Sequence, residues 1–184
     1  GSDAQRAADI NALATLDALP DIALAIRGGY GATRLLADLH YDALRERLGG
    51  SNTMLVGYSD FTALQLALHA KSGLCTFSGP MLGADFGAEA LSDFTWRHFW
   101  QTARWPDSHV SWRTASTTEL DAEGPLWGGN LAVLCSLIGT PYFPAIEGGI
   151  LFVEVVGEPP FRIERLLYQL HRSGVLGRQR ALLL

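Results

Sequence analysis

One junction restricts the fold of this chain more than any other feature. Residues 53–58, Thr-Met-Leu-Val-Gly-Tyr, are a short apolar run that predicts a buried strand. Directly behind it, Phe61, Leu64 and Leu68 recur at helical spacing, so we expect a helix to follow almost at once. Ser59 then lies on a sharp turn between strand and helix, where N–H groups of the first helical turn point toward its hydroxyl.

This junction permits two interpretations of the serine. One is a nucleophile elbow, written here Gly-x-Ser-Asp instead of Gly-x-Ser-x-Gly, with an exposed hydroxyl and an oxyanion site beside it. The other is an ordinary helix cap, in which Ser59 or Asp60 accepts hydrogen bonds from free N–H groups. Caps are common and nucleophiles are rare, so the spacing alone leaves both interpretations open.

Charge and composition exclude several classes of protein. The 184 residues carry 14 Lys and Arg against 19 Asp and Glu, a net charge of −5 without a basic stripe, so we expect no nucleic-acid partner. Apolar residues make up 48% and charged residues 18%, which is typical of a folded α/β protein. No apolar run approaches the roughly 20 residues that span a bilayer, so we expect no membrane partner.

The cysteines and histidines give no indication of a metal. Cys75 and Cys135 lie far apart and lack metal-ligand spacing, so we expect two buried free thiols, with a disulfide as the alternative. There is no His-Glu-x-x-His or similar cluster. We therefore predict no metal ion and no other cofactor.

Strand-like and helix-like segments alternate, which predicts an α/β fold with a mostly parallel sheet and flanking helices. Predicted strands besides 53–58 are 21–26, 74–78, 150–156 and 180–184. Predicted helices besides the one behind Ser59 are a first helix capped by residues 2–5, then 33–39, 41–48, 89–103, 127–137 and 161–171. We divide the chain into an N-terminal α/β domain (1–106), a polar linker (107–124) and the start of a smaller C-terminal α/β domain (125–184).

Both ends of the chain suggest truncation. The first residue is Gly1, not Met, and the last five residues, Arg180–Leu184, read as an apolar strand that has only begun. An unpaired apolar strand is a liability at a natural terminus. We therefore expect the chain to be part of a longer protein.

A glutamate stands in the apolar strand predicted over residues 150–156. Both faces of this strand are apolar, so we expect it to be covered on both sides, with Glu154 on the same face as Phe152. A buried carboxylate needs a partner, and a histidine partner would give it the orienting role of a Ser-His-acid triad. The alternatives are exposure at a frayed strand end or pairing with a structural arginine such as Arg162.

A glycine-rich turn, Gly28–Gly31, follows the strand predicted over residues 21–26. It lacks the third glycine of a dinucleotide fingerprint, because Arg34 stands at that position. Without side chains, its backbone can approach the nucleophile and supply an oxyanion N–H. A plain tight turn is the alternative.

Taken together, these motifs resemble the LD-carboxypeptidase family of serine peptidases over nearly the whole chain. No single motif is as specific as their joint occurrence in one order. The residues that carry the resemblance are Gly1–Asn11, Arg27–Gly31, Gly57–Leu64, Phe77–Met81, Trp127–Leu131, Leu137–Pro141, Ile150–Glu154 and Gly157–Arg162.

The resemblance implies roles for particular residues. Ser59 matches the nucleophile of the family and Glu154 its triad carboxylate. The backbone N–H groups of Asp60 and Gly29 match the oxyanion hole. Three further residues in or beside the glycine turns are our candidates for binding the substrate carboxylate: Arg27, Tyr30 and Asn130.

The resemblance also implies an activity. Family members are usually cytoplasmic, often dimeric, and need no metal. In peptidoglycan recycling they remove the terminal D-alanine from murein tetrapeptides, so the expected partner is a muropeptide, and we expect a homodimer. The family's histidine lies well downstream of the glutamate, and this chain ends before a matching segment. The opening strand of the N-terminal domain is missing as well. A protein that ended at Leu184 would, on this reasoning, have little activity.

Three other functions remain open at this point. Some members of the family are self-immunity peptidases that degrade microcin C-type peptide-nucleotide antibiotics. A catalytically inactive muropeptide-binding module is a second alternative, which a missing histidine would favour. A purely structural α/β domain is the third, and it leaves Glu154 without a reason.

Overall fold

Two three-stranded parallel sheets organise the residues that the computed structural model describes, 1–105, 107–111, 113 and 119–184. The first sheet has the order β1-β2-β3 and the second β4-β5-β6, and every neighbouring pair is parallel. The strands are β1 (Ile22–Leu24), β2 (Met54–Gly57), β3 (Phe77–Ser78), β4 (Leu126–Asn130), β5 (Ile150–Glu154) and β6 (Ala181–Leu183). The predicted α/β class with parallel strands is confirmed.

Helices flank these sheets. The α-helices are α1 (Asp3–Asn11), α2 (Tyr41–Leu48), α3 (Thr62–Ser72), α4 (Asp93–Arg104), α5 (Leu131–Ser136) and α6 (Pro160–Arg172). Tighter 3₁₀ segments cover Ala12–Ala14, Tyr30–Asp38, Ser59–Phe61 and Leu176–Arg178, and a π-helical turn covers Leu82–Phe86. None of the helices in the described ranges is long and apolar enough to cross a membrane.

The beginnings of two helices follow from local sequence signals. At α1 the Gln5 N–H donates to Ser2 Oγ at 3.2 Å, and the Ser2 N–H donates to Gln5 Oε1 at 2.9 Å, which is a capping box. At α6 the first helical residue is Pro160, whose missing N–H costs nothing there. The sequence predicts both helix beginnings from these residues.

Residues 127–130 were predicted to open a helix, and that prediction is wrong. They belong to β4, which pairs with β5 residue by residue, and α5 begins only at Leu131. The backbone φ angles of Gly128 and Gly129 are +138° and +133°, a region that side chains disfavour. A Cβ on Gly128 would overlap the Phe152 carbonyl oxygen of β5. The two glycines therefore let β4 lie unusually close to its neighbours.

We expect the Gly128→Ala variant to lose about 2–4 kcal/mol of unfolding free energy, because the methyl group adds both φ strain and overlap with β5. Urea denaturation measures this loss. Gly139→Ala is the matched control, since Gly139 also has a positive φ, +83°, but has no atom within 4 Å of its Cβ position. The control isolates the φ strain, about 1 kcal/mol. Equal losses in both variants would contradict the close-approach explanation.

Helix α3 joins the two halves of the chain in one core. Ala63 and Ala67 of α3 are buried in the same apolar cluster as Leu131 and Leu134 of α5. The second sheet contributes Leu151, which is fully buried. The turn between β2 and α3 is thereby held against the second sheet by continuous packing.

The proposed division at residues 106 and 125 stays a prediction. Of the predicted linker 107–124, Trp112 and residues 114–118 lie outside the described part of the chain. The apolar cluster around α3 combines residues from both sides of that linker. A domain boundary there would therefore cross a shared core.

The two cysteines differ in environment. Cys135 is buried in α5, donates to the Leu166 carbonyl at 3.5 Å, and has its thiol pKa raised to about 11 by burial. Cys75 is exposed, next to the buried Leu74. Both are free, so the expectation of buried thiols is right for Cys135 and wrong for Cys75. Cys75 lies in the irregular segment between α3 and β3, where the neighbouring Leu74 is the residue that is buried.

Candidate active site

The predicted strand–turn–helix junction is present, and its backbone is unusual at one residue. Among the described non-glycine residues, only Ser59 has a positive φ, +60°. It follows the end of β2 and opens the 3₁₀ turn that leads into α3. A left-handed conformation costs a non-glycine residue about 1–2 kcal/mol, and such strain concentrates at functional sites.

The capping interpretation of this junction finds no support. The N-cap of the 3₁₀ turn is Tyr58, and it makes no side-chain capping bond. Within the described residues, the Ser59 hydroxyl makes no hydrogen bond to a helix N–H, and the Asp60 carboxylate accepts from Gly29 instead. The strained serine is thus left with a hydroxyl that no capping bond uses.

The glycine turn lies against this serine. A Cβ on Gly28 would stand 3.1 Å from both Ser59 Oγ and the Asp60 nitrogen, and 3.0 Å from Ser59 Cβ. A side chain at residue 28 would therefore crowd the hydroxyl and the Asp60 nitrogen, and glycine leaves this space open. The structure brings together the two segments that we predicted to form the oxyanion site.

One detail differs from the prediction. The Gly29 N–H, our predicted second oxyanion donor, donates to Asp60 Oδ2 at 3.0 Å. It is therefore already engaged by a carboxylate in this structure. Among the described residues, neither the Gly28 N–H nor the Asp60 N–H has a hydrogen-bond acceptor. Gly28 and Gly29 are identical neighbours in the sequence, so the sequence could not show which of the two N–H groups is free.

Glu154 stands at the carboxyl end of β5, opposite Asn130 of β4. The Asn130 Nδ2 group donates to Glu154 Oε1 at 3.3 Å, and the Asn130 N–H donates to Thr62 Oγ1 at 2.9 Å. Thr62 is the first residue of α3, immediately after the turn that holds Ser59. Two hydrogen bonds therefore connect the helix behind the serine to the candidate carboxylate.

The surroundings of Glu154 differ from the predicted strand covered on both sides. Leu151 and Val153 are buried, whereas Phe152 and Glu154 on the other face are only half-buried. Only one face of β5 is therefore fully covered, and the strand ends at Glu154. The alternative partner Arg162 pairs with Glu158 at 3.0 Å, one helical turn away. Arg162 therefore does not form its ion pair with Glu154.

Sequence reasoning missed a phenol beside the site. The pKa of Tyr58 is raised, first by burial, then by the neighbouring Asp85 carboxylate, and then by the charge of Glu154. Asp85 accepts the Met81 N–H at 2.7 Å, which fixes it on the π-helical turn. Tyr58 therefore stays protonated near both carboxylates. Its position next to Ser59 was the only signal in the sequence.

The three predicted substrate-binding residues have different environments. Arg27 and Tyr30 are exposed on either side of Gly28 and Gly29, and Tyr30 is 82% exposed. Asn130 is half-buried and engaged: besides its contacts to Glu154 and Thr62, its Oδ1 accepts the Val133 N–H at 3.2 Å as the cap of α5. A binding role for these residues stays a prediction.

Comparison with known proteins identifies the family. Residues 1–79 match the family model of the LD-carboxypeptidase N-terminal domain, and residues 123–184 match that of the LD-carboxypeptidase C-terminal domain. The chain belongs to the LD-carboxypeptidase family. The resemblance predicted from the motifs is thereby confirmed.

Individual relatives of this LD-carboxypeptidase chain carry two kinds of name. A probable murein peptide carboxypeptidase of Bacillus subtilis is 35% identical over 96% of this chain and 54% of its own length. The microcin C7 self-immunity protein of Escherichia coli is 30% identical over 90% of this chain and 56% of its own length. The chain thus spans about half the length of the curated relatives that it matches.

Solved structures of both kinds of protein share the fold of this chain. The muramoyltetrapeptide carboxypeptidase of Oxalobacter formigenes is 44% identical, with a TM-score of 0.89, over 99% of this chain and 60% of that one. A microcin C7 self-immunity protein in complex with glutamyl sulfamoyl guanosine is 27% identical, with a TM-score of 0.84, over 99% and 62%. The fold of the LD-carboxypeptidase chain is therefore that of both groups.

The candidate site of this LD-carboxypeptidase chain lacks a base within the described residues. None of the five histidines forms a hydrogen bond with Ser59 or Glu154 there. His98 packs against Phe94 with the ring centroids 4.1 Å apart, and His69 and His171 lie in α3 and α6. No three His, Cys, Asp or Glu side chains of the described part are placed to hold a metal ion.

Proposed function

We propose that the protein is a serine LD-carboxypeptidase that removes the terminal D-alanine from murein tetrapeptides. It would cut the bond between the L-configured centre of diaminopimelate and D-alanine, a step of peptidoglycan recycling. One observation carries this proposal: a left-handed Ser59 at a strand-to-helix turn, with the glycine turn so near that a Cβ on Gly28 would stand 3.1 Å from both Ser59 Oγ and the Asp60 nitrogen. A nucleophile beside an oxyanion site is the arrangement that acyl transfer requires.

The first chemical step is an attack by Ser59. Its Oγ forms a bond to the carbonyl carbon of the L-centre, while the carbonyl electron pair moves onto the oxygen. The histidine implied by the family resemblance accepts the hydroxyl proton, and Glu154 orients that imidazole. The Asp60 N–H and the N–H of the glycine turn stabilise the oxyanion, because they are already oriented before charge develops.

The second half of the reaction releases the products. As the tetrahedral intermediate collapses, the carbon–nitrogen bond breaks and the D-alanine amine takes the proton from the imidazolium. The shortened peptide remains as an ester on Ser59. Water, deprotonated by the same histidine, then attacks this ester and frees the serine. The reaction consumes one water and needs no redox partner.

Two observations bear on the substrate. The structural relative named as a muramoyltetrapeptide carboxypeptidase is 44% identical to this chain, and the one named as a microcin C7 self-immunity protein is 27% identical. The higher identity favours a murein peptide. A peptide-nucleotide remains the second candidate substrate, since the structure of the self-immunity relative also covers 99% of this chain.

The test is D-alanine release by the full-length protein. The tetrapeptide L-Ala-γ-D-Glu-meso-diaminopimelate-D-Ala and a peptidyl-adenylate would be offered separately at equal concentration, with product formation followed by chromatography. We expect release from the tetrapeptide and little cleavage of the adenylate. Cleavage of the adenylate alone would replace the proposal by the immunity function. Binding of the tetrapeptide without turnover would indicate a catalytically inactive muropeptide-binding module.

The family resemblance also supports a cytoplasmic homodimer with a muropeptide as its partner. Sedimentation of the full-length protein at micromolar concentration tests the assembly. We expect the mass of two chains, and a single-chain mass across the concentration range would contradict the dimer.

A further inference from the structure

The carboxylate of Asp60 ties the elbow to the glycine turn. Its Oδ2 accepts the Gly29 N–H at 3.0 Å, across 31 positions of sequence, and the bond is partly buried. A hydrogen bond to an ionised acceptor is roughly twice as strong as a neutral one. This contact therefore joins two segments that come from different strands, β1 and β2, at the same edge of the sheet.

The glycine turn needs such a restraint. Gly29 has a φ of +132°, and glycine loses more conformational freedom on ordering than any other residue. At the same time, a Cβ on Gly28 would stand only 3.1 Å from Ser59 Oγ and from the Asp60 nitrogen. A small displacement of the turn would change the space where the substrate carbonyl must fit. Displacements of about 1 Å can cost a hundredfold in rate.

We propose that the Asp60 carboxylate is a positioning residue: by accepting the Gly29 N–H it holds the glycine turn against Ser59 and fixes the second side of the oxyanion site. This inference rests on the proposed function. Asp60 then has two separate roles: its backbone N–H stabilises the oxyanion, and its side chain holds the glycine turn in place. Every residue except proline keeps that N–H, so substitutions at position 60 isolate the side chain.

A purely structural role for Asp60 makes a different prediction. A carboxylate in the first turn of a helix interacts favourably with the helix dipole, and that benefit depends on its charge. The tie to Gly29 depends on an acceptor oxygen, which asparagine also has. The Asp60→Asn variant therefore separates the two roles, since it removes the charge and keeps the acceptor.

The kinetic test uses the full-length protein and the murein tetrapeptide. We expect Asp60→Ala to lower kcat about ten- to a hundredfold with KM changed less than about threefold, and Asp60→Asn to recover most of that loss. The matched control is Asn11→Ala, because Asn11 Oδ1 makes a similar long-range tie to the His40 N–H at 2.8 Å away from Ser59. We expect the control to leave kcat unchanged. An unchanged kcat in Asp60→Ala, or an equal loss in Asp60→Asn, would overturn the proposal.

A second readout does not depend on turnover. Amide hydrogen exchange of Gly29, measured by NMR, reports the tie directly. We expect exchange to be at least about tenfold faster in Asp60→Ala than in the wild type, and near the wild-type rate in Asp60→Asn. Equal exchange in all three proteins would overturn the tie whatever the activity. If the tie holds but the wild type cleaves no peptide, the proposed function fails instead.

Discussion

Replacement of Ser59 by alanine is expected to lower kcat for D-alanine release by about four to six orders of magnitude. Alanine lacks the oxygen that forms the acyl-enzyme, and the neighbouring N–H groups alone give only a small residual rate. The measurement is D-alanine release by the full-length protein at saturating tetrapeptide. Turnover close to the wild-type rate would remove Ser59 from the mechanism.

A stability comparison separates chemistry from folding in this prediction. The φ of +60° at Ser59 suits glycine and strains alanine, so we expect Ser59→Gly to be about 1 kcal/mol more stable than Ser59→Ala. Both variants should be equally inactive. Thermal and urea unfolding of the two proteins provides the control. A Ser59→Ala protein that is unfolded under assay conditions would make its inactivity uninformative, and the glycine variant then carries the test.

The second large effect is expected at Glu154. The Glu154→Gln variant should lose about a thousand- to ten-thousandfold in kcat, because an amide orients the imidazole in the wrong tautomer and does not stabilise its charge. The amide oxygen of glutamine can still accept the Asn130 Nδ2 hydrogen bond, which is 3.3 Å long in the wild type. The fold should therefore be retained, and the loss should be in kcat more than in KM.

A charge change near the opposite end of β5 is the control for this variant. Glu147 is exposed and lies three residues before the amino end of the strand, so Glu147→Gln changes net charge equally without touching the site. We expect its kcat to equal that of the wild type. Comparable small effects of both substitutions would mean that Glu154 is not the triad carboxylate.

Local signals in the sequence were sufficient where neighbours in the chain decide the structure. The helix predicted over residues 41–48 has those bounds, and the capping box at Ser2 and the proline at residue 160 marked two helix beginnings correctly. The strand at residues 126–130 was missed for the opposite reason. Gly128 and Gly129 have no local preference, and their positive φ angles accompany the close approach of this strand to Phe152 and Thr62.

The candidate site divides in the same way. Ser59 was identified because strand, turn and helix are adjacent in sequence, and Glu154 because a carboxylate is unexpected in an apolar strand. The hydrogen bond between Asp60 and Gly29 spans 31 positions, and the influence of Asp85 on the pKa of Tyr58 depends on how the π-helical turn lies. Such partners are set by packing between separate elements, and no spacing rule encodes them.

The identity of the nucleophile is tested most directly by mapping a covalent adduct. The full-length protein would react with a phosphonate analogue of the tetrapeptide, whose phosphorus replaces the scissile carbonyl carbon, and mass spectrometry would locate the modified residue. We expect one adduct per chain, on Ser59, and none in the Ser59→Ala variant. An adduct on a different residue, or D-alanine release by a protein whose Ser59 is never modified, would contradict the account.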